Sequence, residues 1–139
     1  MKNYIYLICV LLLVFLFNAC SSEYKFEYIQ TVGNPDTVTR IEVNSIKSGN
    51  NTYFTLGKYN KKEIPESYIK PNYSGFTSGF EIIINWENDT CNFNYYTGDF
   101  SVSNNAKDFK VRKVTVKQFM RMKMDTTGYF NYQIESAMF

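Results

Sequence analysis

Phe80–Tyr96, FEIIINWENDTCNFNYY, is the stretch of the sequence that decides the fold. Its first part, Phe80–Trp86, is the most apolar of the predicted strands and is typical of a central strand. Glu87-Asn88-Asp89 is a turn signal, because Asn and Asp tolerate the backbone conformations of tight turns. Apolar residues then alternate with asparagines through Thr90–Tyr96. We therefore predict a β-hairpin in which Cys91 lies on the buried side.

Further alternating segments lie on both sides of this hairpin, with turn signals between them. Tyr24–Tyr28 has the period of two that indicates a half-buried strand. Val38–Ile46 and Thr52–Leu56 are predicted to pair across the turn Ser48–Asn51. Strands at this spacing predict about seven to nine antiparallel strands in one β-sandwich or small β-barrel, with one short helix as an allowed addition.

Amino-acid composition supports an all-β fold. Of the 120 residues after position 19, 48 are Val, Ile, Thr, Phe, Tyr or Trp, whereas one is Leu and two are Ala. β-Branched and aromatic residues favour strands, and Leu and Ala favour helices. A chain of this length suits a single domain, which we place at residues 24–139.

The segment Phe109–Met124 fits two structures. As a strand, it would present its basic residues on one face together with Phe119. These basic residues are Lys113, Lys117, Arg121 and Lys123. As a helix, it would begin with a capping box at Thr115–Gln118. We predict a strand, because the alternation persists longer than the helical signals, and we keep a helix over residues 116–124 as the alternative.

The N-terminus is predicted to direct the chain out of the cytoplasm. Lys2 precedes an uncharged, mostly apolar run, Tyr4–Ala19, and a small residue ends that run; this is the layout of a signal peptide over residues 1–19. The run is shorter than the roughly 20 residues that a membrane-spanning helix needs.

Leu16-Phe17-Asn18-Ala19-Cys20 resembles the lipobox of Gram-negative bacterial lipoproteins, departing from the strict pattern at its second and third positions. The resemblance implies cleavage before Cys20 and acylation of that residue, with residues 20–23 as a lipidated tether. It also implies a location in the cell envelope, with Ser21 favouring the outer membrane, and a lipid anchor as the contact with the membrane. Export excludes cytoplasmic nucleic acid as a partner.

Several classes of chemistry are excluded or unsupported. The chain has no histidine, which excludes Ser-His-Asp and Cys-His catalysis and imidazole zinc sites. With Cys20 acylated, Cys91 has no partner for a disulfide. No phosphate-binding loop, EF-hand or nucleophile elbow occurs, so we predict no cofactor, no metal and no catalytic residue. Scattered carboxylates, at Glu81, Glu87, Asp89 and Asp99, leave a hydrolase as an alternative.

Two regions are candidate binding sites. Gly57–Gly79 is irregular and contains four aromatic residues that could line a sugar or peptide site or simply cap the core. They are Tyr59, Tyr68, Tyr73 and Phe76. The second region, Lys107–Lys123, has seven basic residues against one acid. It could contact anionic headgroups, acidic glycans or a protein, or it could be a solvated face.

Two short motifs, Asp36-Thr37-Val38 and Asp125-Thr126-Thr127, resemble the acceptor sites of a bacterial O-glycosylation system, which implies glycans on Thr37 and Thr126. Taken together, the sequence predicts a lipid-anchored envelope protein that acts as a non-catalytic binding or assembly module for a glycan or an envelope protein. The alternatives are a small hydrolase of glycan or peptidoglycan, and an inhibitor or immunity lipoprotein. The oligomeric state is left open.

Overall fold

The computed structural model describes residues 21–30, 36–72, 80–125 and 130–134. Within these residues nine strands and one helix occur in the order β1 to β8, α1, β9. The strands are β1 Glu23–Gln30, β2 Thr37–Ser45, β3 Gly49–Leu56, β4 Ile69–Asn72, β5 Phe80–Glu87, β6 Thr90–Tyr95, β7 Asp99–Val102, β8 Phe109–Lys113 and β9 Phe130–Ile134; the helix is α1 Val116–Met124. The predicted all-β class with one short helix is confirmed.

The strands form two separate sheets, so the fold is a sandwich. The five-stranded sheet has the order β1-β2-β3-β4-β7, and the four-stranded sheet has the order β8-β6-β5-β9. Buried side chains from both sheets meet in one core, where the ring of Phe54 lies 5.6 Å from that of Phe93, and Phe93 lies 5.5 Å from Phe109. Burying each such side chain stabilises the fold by about 1.5–3 kcal/mol.

One strand pair departs from the predicted antiparallel arrangement. β8 pairs with β6 in parallel, with Phe93 opposite Val111. Between these strands the chain crosses to the other sheet, where β7 pairs with β4, and it returns to run in the direction of β6. Because the chain passes through the opposite sheet between β6 and β8, it can return in the same direction as β6. Two strands joined by a two-residue hairpin can pair only in the antiparallel arrangement.

The predicted hairpin at the centre of the chain is confirmed. β5 and β6 pair from Ile83 opposite Asn94 to Glu87 opposite Thr90. The two residues between them, Asn88 and Asp89, have φ of 47° and 61°. Positive φ at both central positions gives the turn a twist that matches the strands it joins, and Asn and Asp adopt it at low cost.

The strand predicted beyond Lys113 is wrong, because that segment forms helix α1. The Thr115 hydroxyl accepts a hydrogen bond from the Gln118 backbone N–H at 3.2 Å, and the Gln118 side chain accepts one from the Thr115 N–H at 2.9 Å. This capping box satisfies backbone donors that a helix start otherwise leaves open. Phe119, predicted to face outward with the basic residues, is 1% exposed and packs 4.6 Å from the ring of Tyr96.

The irregular stretch predicted over residues 57–79 is also shorter than expected. β4 lies inside it and pairs with β3 through Ile69 opposite Phe54. Pro71 lacks an N–H, yet it fits within β4 opposite Phe100 of β7. What remains irregular within the described residues is Gly57–Tyr68, which packs on the outer face of the five-stranded sheet.

Candidate binding surfaces

The outer face of the five-stranded sheet carries a second apolar cluster, on the side away from the sandwich core. Ile41, Val43 and Tyr53 are buried there, and half-buried aromatic rings pack on them. We call the aromatic residues of this cluster the aromatic face: Tyr24, Phe26, Tyr53, Tyr59 and Tyr68. Two of its members, Tyr59 and Tyr68, were predicted from the sequence. The other two predicted aromatics, Tyr73 and Phe76, lie outside the described residues.

Ring contacts join four members of the aromatic face in two pairs. Tyr24 and Phe26 are two residues apart on β1, and their rings stack with centroids 6.4 Å apart. Tyr53 of β3 meets Tyr68 edge to face at 5.3 Å. The ammonium of Lys70 lies 5.5 Å from the centre of the Tyr53 ring, within the range of a cation–π contact.

Hydrogen bonds to the sheet fix the loop that supplies Tyr59 and Tyr68. Gly57 donates its N–H to the Thr37 carbonyl at 2.6 Å, and its φ of 79° is a conformation that glycine adopts readily. The Thr39 hydroxyl donates to the Gly57 carbonyl at 2.5 Å and accepts from the Tyr59 N–H at 3.1 Å. At the other end of the loop, the Tyr68 N–H donates to the Ser103 hydroxyl at 2.9 Å. The two tyrosines are therefore positioned without a ligand.

The hydroxyls of Tyr53 and Tyr59 remain protonated at neutral pH. Burial raises the pKa of Tyr53, with a further contribution from the phenols of Tyr68 and Tyr24. Burial also raises the pKa of Tyr59, which donates a hydrogen bond to the Glu63 carbonyl at 3.2 Å. A surface of flat rings with neutral hydroxyls can stack against apolar faces of a ligand and hydrogen-bond to its polar edges.

The sequence did not identify Tyr24, Phe26 or Tyr53 as binding candidates. Tyr24 and Phe26 lie in a predicted strand with a period of two, and Tyr53 lies in another predicted strand. The pattern shows that two faces differ, but it does not show which face meets the second sheet. On β2 it is Val38 that joins the sandwich core, whereas Ile41 lies in the outer cluster.

The basic residues of Lys107–Lys123 do not share one face. Lys113 ends β8, where its ammonium lies 3.8 Å from Asp99 and 5.8 Å from the centre of the Tyr95 ring. Lys123 at the end of α1 donates to Glu81 at 2.8 Å, and this hydrogen bond raises the pKa of Lys123. Lys117 and Arg121 lie on the exposed side of α1. The single basic strand face predicted from the sequence is therefore wrong.

A buried asparagine cluster on the outer face of the four-stranded sheet was not predicted. Asn85, Asn92 and Asn94 are 6%, 0% and 2% exposed. Asn94 donates its amide to the Asn85 side-chain oxygen at 2.7 Å and to the Ile83 carbonyl at 3.1 Å. The side-chain oxygen of Asn92 has no hydrogen-bond partner among the described residues.

An ion pair crosses above these asparagines. Arg112 of β8 contacts Glu87 of β5 at 3.1 Å, and β6 lies between the two strands. Hydrogen bonds from Arg112 and then from Asn85 hold the pKa of Glu87 below its ordinary value. The sequence signal for this arrangement is the alternation Asn92-x-Asn94, which places both asparagines on the same side of β6.

The four carboxylates considered for hydrolysis do not gather into one cluster. Glu81 and Glu87 lie on the same face of β5, six residues and therefore about 20 Å apart. Carboxyl pairs of glycosidases are separated by about 5–9.5 Å. Asp89 lies in the β5–β6 turn, whereas Asp99 starts β7 and pairs with Lys113. The described residues contain no cluster of three or more acidic or cysteine side chains able to hold a metal ion.

A small charged cavity lies on the face of β1 and β2 that also carries Val38. Arg40 contacts Glu27 at 3.2 Å and also forms an ion pair with Glu42. These three residues line the cavity of about 210 Å³ together with Lys25 and Phe26. Because the guanidinium is already neutralised by two carboxylates, the cavity has no strong preference for an anion.

The predicted modification sites fall in different settings. Thr37 is the first residue of β2 and is 6% exposed, which leaves little room for a glycan on its hydroxyl. Thr126 and Cys20 lie outside the described residues. No helix among the described residues is long and apolar enough to cross a bilayer.

The chain matches no protein-family model, no curated protein and no solved structure.

Proposed function

We propose that this protein is a lipid-anchored component of the bacterial cell envelope that binds a glycan on its aromatic face without catalysing a reaction. The observation that carries the proposal is the set of half-buried tyrosines held on the outside of the sandwich. These tyrosines are not part of the main core, because Phe54, Phe93 and their neighbours already fill the space between the sheets. Exposed aromatic residues on a rigid framework are typical of binding sites.

Three features favour a glycan as the ligand class. The rings of Tyr24 and Phe26 lie nearly parallel, at an interplanar angle of 15°, and can stack on the apolar faces of sugar rings. Neutral tyrosine hydroxyls can donate hydrogen bonds to sugar hydroxyls. Lys70 adds one positive charge beside Tyr53, which would favour an acidic sugar. The hydrolase alternative is not carried forward, because Glu81 and Glu87 lie too far apart to act as a pair and Asp99 is paired with Lys113.

Titration of the protein with soluble peptidoglycan fragments and acidic oligosaccharides, followed by calorimetry, tests the glycan site. Tyr59→Ala should weaken binding roughly thirtyfold, because truncation of an aromatic anchor costs about 2 kcal/mol. Ile64→Ala is the matched control, since Ile64 lies in the same loop, is 46% exposed and is not part of the aromatic face. Equal affinity of both variants and the wild type would refute the site.

The anchor is tested separately by metabolic labelling with palmitate in a Gram-negative host. Cys20→Ser should abolish the label and leave the protein uncleaved or released from the membrane. Cys91→Ser is the control, because Cys91 is buried in the domain and should not affect labelling. Labelling that persists in Cys20→Ser would exclude the lipid anchor, whatever the outcome of the glycan titration.

A further inference from the structure

One end of the sandwich, which we call the anchor end, is the end at which β1 begins. Glu23, the first residue of β1, lies opposite Asn44 near the end of β2. β2 then continues into the turn Ile46–Ser48, which we call the hairpin tip. The hairpin tip therefore extends past the start of β1, alongside the tether formed by Ser21 and Ser22.

Helix α1 begins at the same end. β7 starts there, because Asp99 lies opposite Asn72 at the end of β4, and β4 runs antiparallel to β3 toward the hairpin tip. Lys113, the last residue of β8, pairs with Asp99 at 3.8 Å, and α1 starts three residues later.

The contacts of α1 show its direction across the four-stranded sheet. Phe119 packs on Tyr96, just beyond the end of β6, and Lys123 bonds Glu81 near the start of β5. The helix thus passes from β8 over β6 to β5 along the anchor end.

Both elements expose apolar residues at this end. Ile46 in the hairpin tip is 83% exposed. On α1, Val116, Met120 and Met124 are 55%, 46% and 83% exposed, and we call these three residues the helix stripe. Their spacing of four residues places them along one side of the helix, next to the side that Phe119 buries. No described residue covers the helix stripe or Ile46 enough to bury them.

Basic residues border these apolar positions. Lys47 follows Ile46 in the hairpin tip, and Lys117 and Arg121 each follow a member of the helix stripe. Among the described residues, none of the three has a salt-bridge partner. Three acids of this end are paired with other lysines, Glu23 with Lys25, Asp99 with Lys113 and Glu81 with Lys123. Apolar side chains beside unpaired cations are typical of surfaces that lie on anionic bilayers.

The short segment between Cys20 and β1 indicates that this surface contacts the membrane. Two residues separate Cys20 from Glu23, so three Cα–Cα steps keep the start of β1 within about 11 Å of the Cys20 backbone even when the chain between them is fully extended. The headgroup region is about 5–8 Å thick on each side of the hydrocarbon. A domain held by acyl chains on Cys20 therefore has its anchor end at the membrane surface.

We infer that the anchor end is a membrane-docking surface, in which Ile46 and the helix stripe insert among the headgroups of an anionic leaflet while Lys47, Lys117 and Arg121 contact lipid phosphates. The inference rests on the proposed lipid anchor. Docking fixes the orientation of the sandwich on the bilayer, so that the far end, with the β5–β6 turn, points away from the membrane.

The test uses the full acylated protein reconstituted in vesicles of phosphatidylethanolamine with and without phosphatidylglycerol. Ile46→Cys and Met120→Cys are labelled in turn with an environment-sensitive fluorophore. Ile64→Cys is the control, because Ile64 is similarly exposed but lies in the loop that follows the far end of β3. Cys91 does not interfere, since it is fully buried.

Docking predicts a blue shift and higher emission for the labels at positions 46 and 120 on anionic vesicles, and neither change at position 64. Replacing Lys117 by Gln in the labelled Met120→Cys protein should lower the docked-to-undocked ratio about fivefold, because one basic residue near an anionic leaflet contributes about 1 kcal/mol. Lys110→Gln is the control and should leave the ratio unchanged, because Lys110 is exposed and lies opposite Asn92, toward the far end.

Other outcomes overturn the inference in distinguishable ways. Acylated, vesicle-bound protein whose labels at positions 46 and 120 emit as in water would refute docking and leave the lipid anchor intact. If these labels emitted as in water on vesicles and their emission changed only after an envelope extract was added, the surface would be assigned to a protein partner. Protein that carries no acyl chain would refute the anchor itself, and the docking surface with it.

Discussion

Cys91 lies in the main core with none of its surface exposed. The sequence placed it correctly, because Cys91 follows the period of Phe93 and Tyr95 in a strand whose turn and partner were both evident. The asparagines between these residues lie on the opposite face, as the alternation predicts, but their burial was not predicted. A polar residue in an alternating strand is usually solvated, and the covering pair, Arg112 and Glu87, is separated by 25 positions in sequence. Such a pair cannot be predicted from local pattern.

The thiol of Cys91 is expected to resist modification in the folded protein. Burial raises its pKa to about 12, with a smaller contribution from Asp36, and the thiolate is the reactive form. An aromatic disulfide reagent at pH 8 should therefore react with Cys91 only after unfolding in urea. Rapid reaction of the native domain, measured on residues 21–139, in which Cys91 is the single cysteine, would contradict the burial of this thiol.

The same shift predicts a loss of stability at high pH. A group whose folded pKa lies above its unfolded value of 9.0 is more readily ionised in the unfolded chain. Its contribution to stability is complete below pH 9 and is lost between pH 9 and about 12. Urea midpoints measured across this range should fall less steeply in Cys91→Ala than in the wild type, after correction for the tyrosines that also titrate there.

Among the elements, helix α1 shows how a strand pattern and a helix pattern compete. The alternation through Val114–Met124 favoured a strand, whereas Thr115 and Gln118 formed a complete capping signal. The capping signal was decisive because it satisfies two backbone donors locally, and because Phe119 is then directed at Tyr96. An alternating segment forms a stable strand only where a neighbouring strand can pair with it. β8 is the edge strand of its sheet and ends at Lys113, and the residues that follow form α1.

Removing either contribution should loosen α1. Phe119→Ala should lower the free energy of unfolding by about 3 kcal/mol, at the low end for a buried aromatic residue, because α1 is a short peripheral element. Thr115→Ala should lower it by about 1 kcal/mol through loss of the cap. Met120→Ala is the control, since Met120 is 46% exposed, and it should change stability by less than about 0.5 kcal/mol. Urea unfolding measures all three, and equal values for Phe119→Ala and Met120→Ala would reject the placement of the helix.

For the whole molecule, the class of fold followed from composition and from the recurrence of short alternating segments. Which strands share a sheet did not follow, because β7 crosses to the five-stranded sheet and β8 returns in parallel. The aromatic face depends on the same information. Once the five-stranded sheet is known to carry Val38 inward, Ile41 and Tyr53 must face outward, and the loop Gly57–Tyr68 is required to cover them.

The sandwich is expected to unfold as one cooperative unit. Phe93 of the four-stranded sheet contacts Phe54 of the five-stranded sheet and Phe109 of β8, so its ring joins three strands across both sheets. Phe93→Ala should cost about 3–5 kcal/mol, because it leaves a cavity in a closely packed interior. That loss is comparable to the whole stability of many small domains, and partial unfolding at room temperature is therefore expected.

Two optical signals test this cooperativity. The fluorescence of Trp86, the single tryptophan of the chain, reports on β5 in the four-stranded sheet. Near-ultraviolet circular dichroism in the tyrosine band includes Tyr24, Tyr53 and Tyr68 of the other sheet. In the wild type and in Phe93→Leu, both signals should change at the same urea concentration, because neither sheet can bury its apolar face without the other. If the tyrosine signal persisted after that of Trp86 was lost, the aromatic face would be holding the five-stranded sheet together by itself, and the second cluster would be an independent core with a structural role in place of a binding one.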